Sequence, residues 1–313
     1  MQRRVLGKTE LRVSSLGLGT WGLCGDGYGS VSEADQERVI ERARALGISL
    51  FETADAYAHG EMERRLGRLL FSDPRAVVVT KVGTDRTASP TRKCFSKDYL
   101  KQAVDRSLER LKLSRVVVLL HNPSVKALET GEPADLLTQL VADKSIAGWG
   151  VSAGDVDVGR AALNQGAQVL QLAFNAFARR DLSELKAEID AKEAAVLARS
   201  VLAHGLLCGH WSIHKDFSDG DHRGERWTAD DLKRRINQLS ALRSVIGAEV
   251  LTMRSAALRF ALATPGITAA ILGPRNTVQL DQLVREAGRE QPYLSDEKMN
   301  KLEARLADVG VTT

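Results

Sequence analysis

Four side chains of this 313-residue sequence are suited to moving or steering a proton, and three of them close apolar runs: Glu52 in "SLFE", Lys81 in "VVVTK" and His121 in "VVVLLH". Tyr57 follows Glu52 by five residues, in the loop after the same run. Reducing a carbonyl needs a hydride on carbon and a proton on the developing alkoxide, and a phenol beside an ammonium can deliver that proton. Lys81 would favour the tyrosinate and lower the pKa of Tyr57 from about 10, a carboxylate at 52 would hold the ammonium, and His121 would steer the carbonyl oxygen. A lone Lys or His at such a position is usually a solvated or hydrogen-bonded spacer; arrival at successive run ends is what points to a site. A metal-dependent hydrolase uses the same residue types, but it would want two or more histidine ligands, and no H-x-H pair occurs. The expectation for metal ligands is none.

The runs belong to a longer alternation. Apolar or β-branched stretches recur at 14–20, 48–54, 76–82, 115–122, 146–153, 169–175, 194–202 and 268–275, with amphipathic stretches between them. In "KDYLKQAVDRSLERLKL", for example, Leu100, Val104, Leu108 and Leu111 share a face at helical spacing. In "VSEADQERVIERARALG", Ser32 is placed as an N-cap, Asp35 at the box position and Gly47 as the stop. Strands that are apolar throughout and alternate with helices signal a parallel sheet covered on both sides. Eight such units close most naturally as a (β/α)8 TIM barrel, with a doubly wound sheet as the second architecture. In a barrel the strand ends are where chemistry sits. The opening "RRVLGKTELRVS" reads as a hairpin about Gly7 and Lys8 that could plug the barrel floor. The connection from Leu202 to Thr268 is too long for a plain crossover; it reads as a functional loop, "HWSIHKDFSDGDHRGERW", plus extra helices in the C-terminal part. No linker divides the chain, so residues 1–313 are expected to form one domain.

The run "GLGTWG" at 17–22 invites a different reading, the glycine fingerprint of a doubly wound dinucleotide-binding fold. That fingerprint opens a helix at once so that a pyrophosphate can sit on its N-terminus. Here "LCGDGYGS" intervenes before the first helical pattern, and among 26 glycines a chance match is common. Composition narrows the field further. The 44 Lys and Arg and 40 Asp and Glu leave a formal charge of +4 spread along the chain, with no basic block, which argues against a nucleic-acid partner; the pI near 9.0 tolerates acidic or phosphorylated ligands. Cys24, Cys94 and Cys208 are an odd number at wide spacing, which suits neither a disulfide framework nor a zinc site. The N-terminus lacks the apolar core of a signal peptide and no run reaches the length of a membrane span, so the expected location is cytoplasmic, without a membrane partner. The sequence does not fix an oligomeric state.

The segments "LGKTELRVSSLGLGTW", "GYGSV", "FETADAYAHGEMERRLG", "TKVG", "LLHNP", "GWGVSAG", "VLQLAFN", "SVLAHGLLCG" and "ILGPRNTVQL" together resemble the aldo-keto reductases, in the bacterial branch related to sugar-active reductases and to the potassium-channel β-subunits. The resemblance covers nearly the whole chain. It implies a (β/α)8 barrel that binds NADPH across its strand ends and reduces an aldehyde or ketone, a small-molecule carbonyl substrate. It places the catalytic tetrad on Glu52, Tyr57, Lys81 and His121. It assigns cofactor contacts to Gly19, Thr20 and Trp21 as a barrel loop, to Ser152 and Gln171 at the nicotinamide amide, to Ser200, Leu202 and Gly205 along the pyrophosphate, and to Gly273, Arg275 and Gln279 at the adenosine end. Arg275 suits a 2′-phosphate because a guanidinium fork meets two phosphate oxygens, with Arg223 or Arg226 of the long loop as helpers.

The chain departs from the family pattern at five places. Glu52 stands for an Asp, Ala153 for an amide-binding Asn, Arg199 for a nicotinamide-stacking Tyr, Leu283 for an adenine-binding Asn and His210 for a Lys near the pyrophosphate. A planar guanidinium at 199 can still stack. The departures keep a second reading open, an NADP(H)-binding sensor or scaffold with weak or no turnover. On sequence, Glu52 is expected to keep its pair with Lys81, with Asp55 as an alternative partner, and shortening Glu52 to Asp to raise the rate. The loop "TDRTASPTRKCFSK" offers Arg86, Arg92 and Lys93 to an anionic carbonyl compound, and Trp21, Tyr28 and Phe177 are the expected aromatic walls.

Overall fold

The run Val77–Val82 is buried at every position, as a strand of a parallel sheet covered on both faces must be. The computed structural model describes every residue except Ala248, Glu249, Arg289, Thr312 and Thr313. Its strands are β1 (Arg3–Val5), β2 (Arg12–Ser14), β3 (Leu16–Gly19), β4 (Leu50–Glu52), β5 (Val77–Val82), β6 (Thr84–Asp85), β7 (Arg92–Lys93), β8 (Val116–His121), β9 (Gly148–Ser152), β10 (Val169–Ala173), β11 (Ala195–Arg199) and β12 (Ile267–Leu272). Eight of them, β3, β4, β5, β8, β9, β10, β11 and β12, close in that order into a parallel barrel, with β12 pairing back onto β3. The eight runs expected as strands are these eight, and the doubly wound alternative is excluded.

The helices are α1 (Glu33–Ala45), α2 (Glu61–Leu70), α3 (Lys97–Leu111), α4 (Val125–Glu129), α5 (Glu132–Ala142), α6 (Val156–Asn164), α7 (Arg180–Lys192), α8 (Ala229–Gln238), α9 (Ser240–Arg243), α10 (Met253–Ala263), α11 (Thr277–Ala287) and α12 (Asp296–Asp308). Ser32 caps α1 by accepting from the Asp35 amide, and Gly47 takes the left-handed φ of +86° that ends the turn. In α3, Leu100, Val104 and Leu111 are buried while Leu108 is half-buried at the edge of the same face. The extra helices fall in three places: α4 before α5 after β8, α8 and α9 in the long connection after β11, and α12 at the end of the chain. Among the described residues no helix is long and apolar enough to cross a membrane.

A separate core fills the barrel itself. Leu50, Val77, Val79, Val117, Leu119, Val169, Ala195, Leu197, Ala269 and Ile271 pack together there, joined from below by Leu6 and Val13. The latter two come from the hairpin of β1 and β2, which closes the barrel floor. Gly7, at its tip, has φ +55°, and a Cβ there would lie 2.6 Å from the Gln168 carbonyl oxygen and 2.8 Å from the Ala195 nitrogen, so the tip fits under the sheet only as glycine.

Alternation along the strands then decides what faces the barrel mouth. Inward positions recur every second residue, so Val77 and Val79 are followed inward by Lys81, Val117 and Leu119 by His121, Leu50 by Glu52, Val169 by Gln171, and Ala195 and Leu197 by Arg199. Each polar residue is the first inward position above the apolar plug, at the carboxyl end of its strand, where catalytic groups of such barrels are carried. The glycine run belongs to this layer. A Cβ at Gly17 would lie 2.7 Å from Ile271, and one at Gly19 2.7 Å from Ile271 and 3.1 Å from a Glu52 carboxylate oxygen. Gly17 and Gly19 are thus room for neighbouring interior side chains, and no helix follows them to receive a phosphate.

Candidate active site

Glu52 and Lys81 form an ion pair almost wholly out of solvent, at 5% and 2% exposure. The ammonium also donates to the Thr53 carbonyl oxygen at 2.9 Å and to the Tyr57 hydroxyl at 3.0 Å. On its other side, the Glu52 carboxylate accepts from the Gln171 side-chain amide at 3.2 Å. The His121 and Tyr57 rings meet edge to face with centroids 6.1 Å apart, and His121 Nδ1 lies 3.3 Å from Thr84 Oγ1. All four residues picked out for proton chemistry therefore meet at one point.

Local structure holds Tyr57 there. The chain leaves β4 with the Asp55 amide bonded to the Lys81 carbonyl at 3.0 Å and the Tyr57 amide to the Ala54 carbonyl at 3.1 Å. Ala58 and His59 then take left-handed φ values of 45° and 53°, which turn the chain sharply into α2. Asp26 clamps the bend by accepting from the Ala58 amide at 3.2 Å. Asp55 is not a partner of Lys81: one of its carboxylate oxygens is buried without a hydrogen bond, and burial, with Glu63 nearby, raises its pKa to about 7.

Burial dominates the electrostatics. It pushes the Tyr57 phenol well above its ordinary range, with the Glu52 carboxylate adding to the effect. The sequence expectation that Lys81 lowers the Tyr57 pKa is reversed, because the ammonium is already engaged by Glu52 while the phenol has lost its water. Burial also lowers the Lys81 pKa, opposed by Glu52. His121 is held well below its ordinary value by burial first and then by Lys81, Lys93 and Arg199, so it is neutral at physiological pH. The site thus presents a protonated phenol and a neutral imidazole.

These groups line a cleft of about 830 Å³ that runs along the barrel mouth. It is also walled by Gly19, Trp21, Ser152, Gln171 and Arg199, by Ser200, Leu202 and Gly205 after β11, and by Gly273, Arg275, Gln279 and Leu283 after β12. Thr20 is the exception among the expected contacts: it is fully buried, with its hydroxyl bonded to Thr53 at 3.0 Å, and it lies outside the cleft wall. Phe177 is not a wall either; it packs beside the core with the Arg235 guanidinium 5.3 Å from its ring centroid. Two cations of the rim loop are committed to carboxylates, Arg86 to Asp26 and Arg92 to Asp85, whereas Lys93 folds back to donate to the Thr84 hydroxyl and the His121 carbonyl, each at 2.8 Å.

Three features escaped the sequence reading. Asn122, directly after His121, lines the cleft and accepts from the Ser152 hydroxyl at 3.2 Å, so an amide side chain stands next to the position that Ala153 leaves bare. The loop 203–228 folds over the glycine loop: the His222 amide bonds the Gly27 carbonyl at 3.1 Å, and the His222 ring meets Trp21 tilted at 4.6 Å and Tyr28 edge to face at 4.7 Å. His204 joins this roof through the Tyr28 hydroxyl at 3.1 Å, and burial takes its pKa down to about 3. Sequence offers no periodic signal for two histidines in an irregular loop. Arg223 also sits in the roof at the cleft wall, paired with Asp221 and lying over the Tyr28 ring at 5.0 Å.

One polar atom in the cleft is left without a partner where a ligand would supply one. Gln171 is 1% exposed, its amide nitrogen is taken by Glu52, and its Oε1 accepts from nothing in the protein. A buried acceptor of this kind calls for a donor, and the amide of a nicotinamide carries one. Just after β12, a Cβ built on Gly273 meets nothing within 4 Å, so the backbone there borders open space. The residues present fit a dinucleotide laid along the cleft.

The fold is thus a closed parallel barrel that carries an ion-paired Lys beside a Tyr and a His at its mouth. The chain belongs to the aldo/keto reductase family, whose model matches residues 15–307; such enzymes use nicotinamide cofactors on small carbonyl compounds. Among solved structures, the chain is similar in fold to the aldo-keto reductase AKR11C1 of Bacillus halodurans in its holo form, at 23% identity and a TM-score of 0.80, covering 97% of this chain and 96% of that one. It is likewise similar to the glycerol dehydrogenase AKR11B4 of Gluconobacter oxydans, at 24% identity and a TM-score of 0.84, covering 99% and 96%.

Proposed function

We propose that the protein reduces an aldehyde or ketone with NADPH, with Tyr57 as proton donor. The observation that carries this reading is the Lys81 hydrogen bond to the Tyr57 hydroxyl, made by an ammonium that Glu52 already holds. A reduced nicotinamide, when bound, supplies the hydride. The chain's own groups do the rest. Tyr57 and His121 stand side by side, with ring centroids 6.1 Å apart, so both could donate to one carbonyl oxygen, and a phenol held protonated by burial is a competent acid there. Lys81 stabilises the tyrosinate left behind, which is the moment its charge is needed. Gln171 Oε1, Ser152 and Asn122 would take the carboxamide, and Arg275 with Gln279 the adenosine end. Burial of the site excludes the water that would weaken these contacts.

The assay compares wild type with Tyr57→Phe on a panel of aldehydes, alongside NADPH binding by fluorescence. The variant is expected to bind NADPH as before and to lose carbonyl reduction by about 10²-fold or more, the size of a lost general acid. Unchanged reduction by Tyr57→Phe would remove Tyr57 from the chemistry. NADPH binding with no turnover on any carbonyl, in the wild type, would favour a sensor or scaffold.

A further inference from the structure

Among the described residues, Arg199 in the cleft wall is a cation without a salt-bridge partner. Its strand, β11, brings it to the mouth beside Gln171's strand, with Ala173 and Arg199 in register. Its guanidinium donates to the Ala153 carbonyl at 3.3 Å, and among the described residues no carboxylate lies within salt-bridge distance. After its own burial, the neighbours that act on it are the Tyr57 phenol, Arg226, Glu52 and Asp181, so it faces the same point as the tetrad.

Summed over that point, the charges do not cancel. Glu52 and Lys81 neutralise each other, and Tyr57 and His121 are uncharged. Arg199 remains, with Arg226 adding to its field and the more distant Asp181 opposing it, and Lys93 behind His121 has no carboxylate within salt-bridge distance among the described residues. A ring that gives hydride to a carbonyl held by Tyr57 must lie against this positive field, and Gln171 Oε1 marks where its amide would be.

From this, and resting on the nicotinamide reading above, we propose that Arg199 makes the site discriminate between the two redox forms of the cofactor, binding the reduced form tightly and expelling the oxidised one. The charge balance gives the direction. Reduction moves a hydride from C4 of the dihydronicotinamide to the carbonyl carbon and a proton from Tyr57 to the carbonyl oxygen, and Tyr57 is then reprotonated from solvent. The alcohol leaves neutral, while the nicotinamide ring goes from neutral to a full positive charge. Two like charges a few ångströms apart in a buried site repel strongly, whereas a neutral ring against a guanidinium plane does not. Weak binding of the oxidised form leaves the enzyme with little inhibition by its oxidised cofactor product, while the overall equilibrium of the reaction stays that of the free reactants.

Dissociation constants for NADPH and NADP⁺, measured on the full chain by fluorescence titration or calorimetry, test this without turnover. Wild type is expected to hold NADPH at least about tenfold more tightly than NADP⁺. Arg199→Gln, which keeps a planar polar end and loses the charge, is expected to shrink that ratio by about tenfold, mainly by tightening NADP⁺. Arg199→Lys keeps the charge and is expected to keep the ratio. Equal affinities in the wild type, or a ratio that Arg199→Gln leaves within about twofold, would overturn the inference while the nicotinamide reading stands. Failure of the wild type to bind either form would sink the nicotinamide reading itself.

Discussion

Gln171 donates its side-chain amide to Glu52 at 3.2 Å, across the barrel mouth from strand β10 to strand β4. The bond joins the proposed nicotinamide contact to the ion pair that holds Lys81, and it depends on the reach of a glutamate. An aspartate would withdraw the carboxylate by about 1.5 Å, one carbon–carbon bond. It could keep Lys81 or Gln171 but not both. This link reverses the direction expected from the sequence.

Glu52→Asp is accordingly expected to weaken NADPH binding a few-fold, because a buried amide loses its partner, and to slow reduction of a simple aldehyde by about tenfold through the displaced ammonium. Gln171→Ala should reproduce the binding loss with a smaller effect on rate. Steady-state kinetics with direct binding on both variants check this, and a faster Glu52→Asp enzyme would show that the longer acid is a compromise.

The cofactor's phosphate is the second case. Arg275 donates to the Gly29 and Ser30 carbonyls, each at 3.0 Å, and its Nε is buried without a partner. If its fork takes the 2′-phosphate, NADPH should bind at least about tenfold more tightly than NADH, a charge-assisted contact being of order 1.5 to 3 kcal/mol. Arg275→Ala should remove most of that gap, and competitive binding of the two cofactors measures it. Equal affinities in the wild type would leave Arg275 as a clasp for the glycine loop alone.

His121 sets the acid limb of the pH profile. An exposed histidine would titrate near 6.5, but burial and three neighbouring cations hold this one well below that value. The kcat/KM for carbonyl reduction should therefore show no histidine inflection between about pH 6 and 8. An inflection near 6.5 that disappears in His121→Gln would mean that the ring takes up a proton in the working enzyme.

Asp55 should appear in stability. Its folded-state pKa of about 7 lies above the ordinary 3.8, so the folded protein binds the extra proton between those values. The stability this contributes is complete below about pH 4 and is lost as pH rises through 7, by up to about 4 kcal/mol for a three-unit shift. Asp55→Asn removes the titration. The difference in unfolding free energy between variant and wild type, followed by denaturant titration, should move in the variant's favour from pH 5 to pH 8. A pH-independent difference would place the Asp55 carboxylate in contact with water or a cation.

The sequence by itself determined the order of elements and the chemistry of the mouth. Eight uniformly apolar runs alternating with amphipathic ones admit few architectures, and a strand's two-residue period carries Lys81 and His121 inward above Val79 and Leu119 without further information. Local rules also marked Ser32 and Gly47 as helix ends, because caps act within a few residues. Distances across the barrel are another matter. That Glu52 reaches Gln171, that Thr20 turns into the core, that His222 closes on Trp21 and that Arg223 pairs with Asp221 each depend on how residues far apart in the chain, or within an irregular loop, are packed. The ionisation of Tyr57 is decided there too. Residue types gave the sign of the Lys81 effect, but only the closed barrel sets how much water the phenol loses, and that loss outweighs the charge.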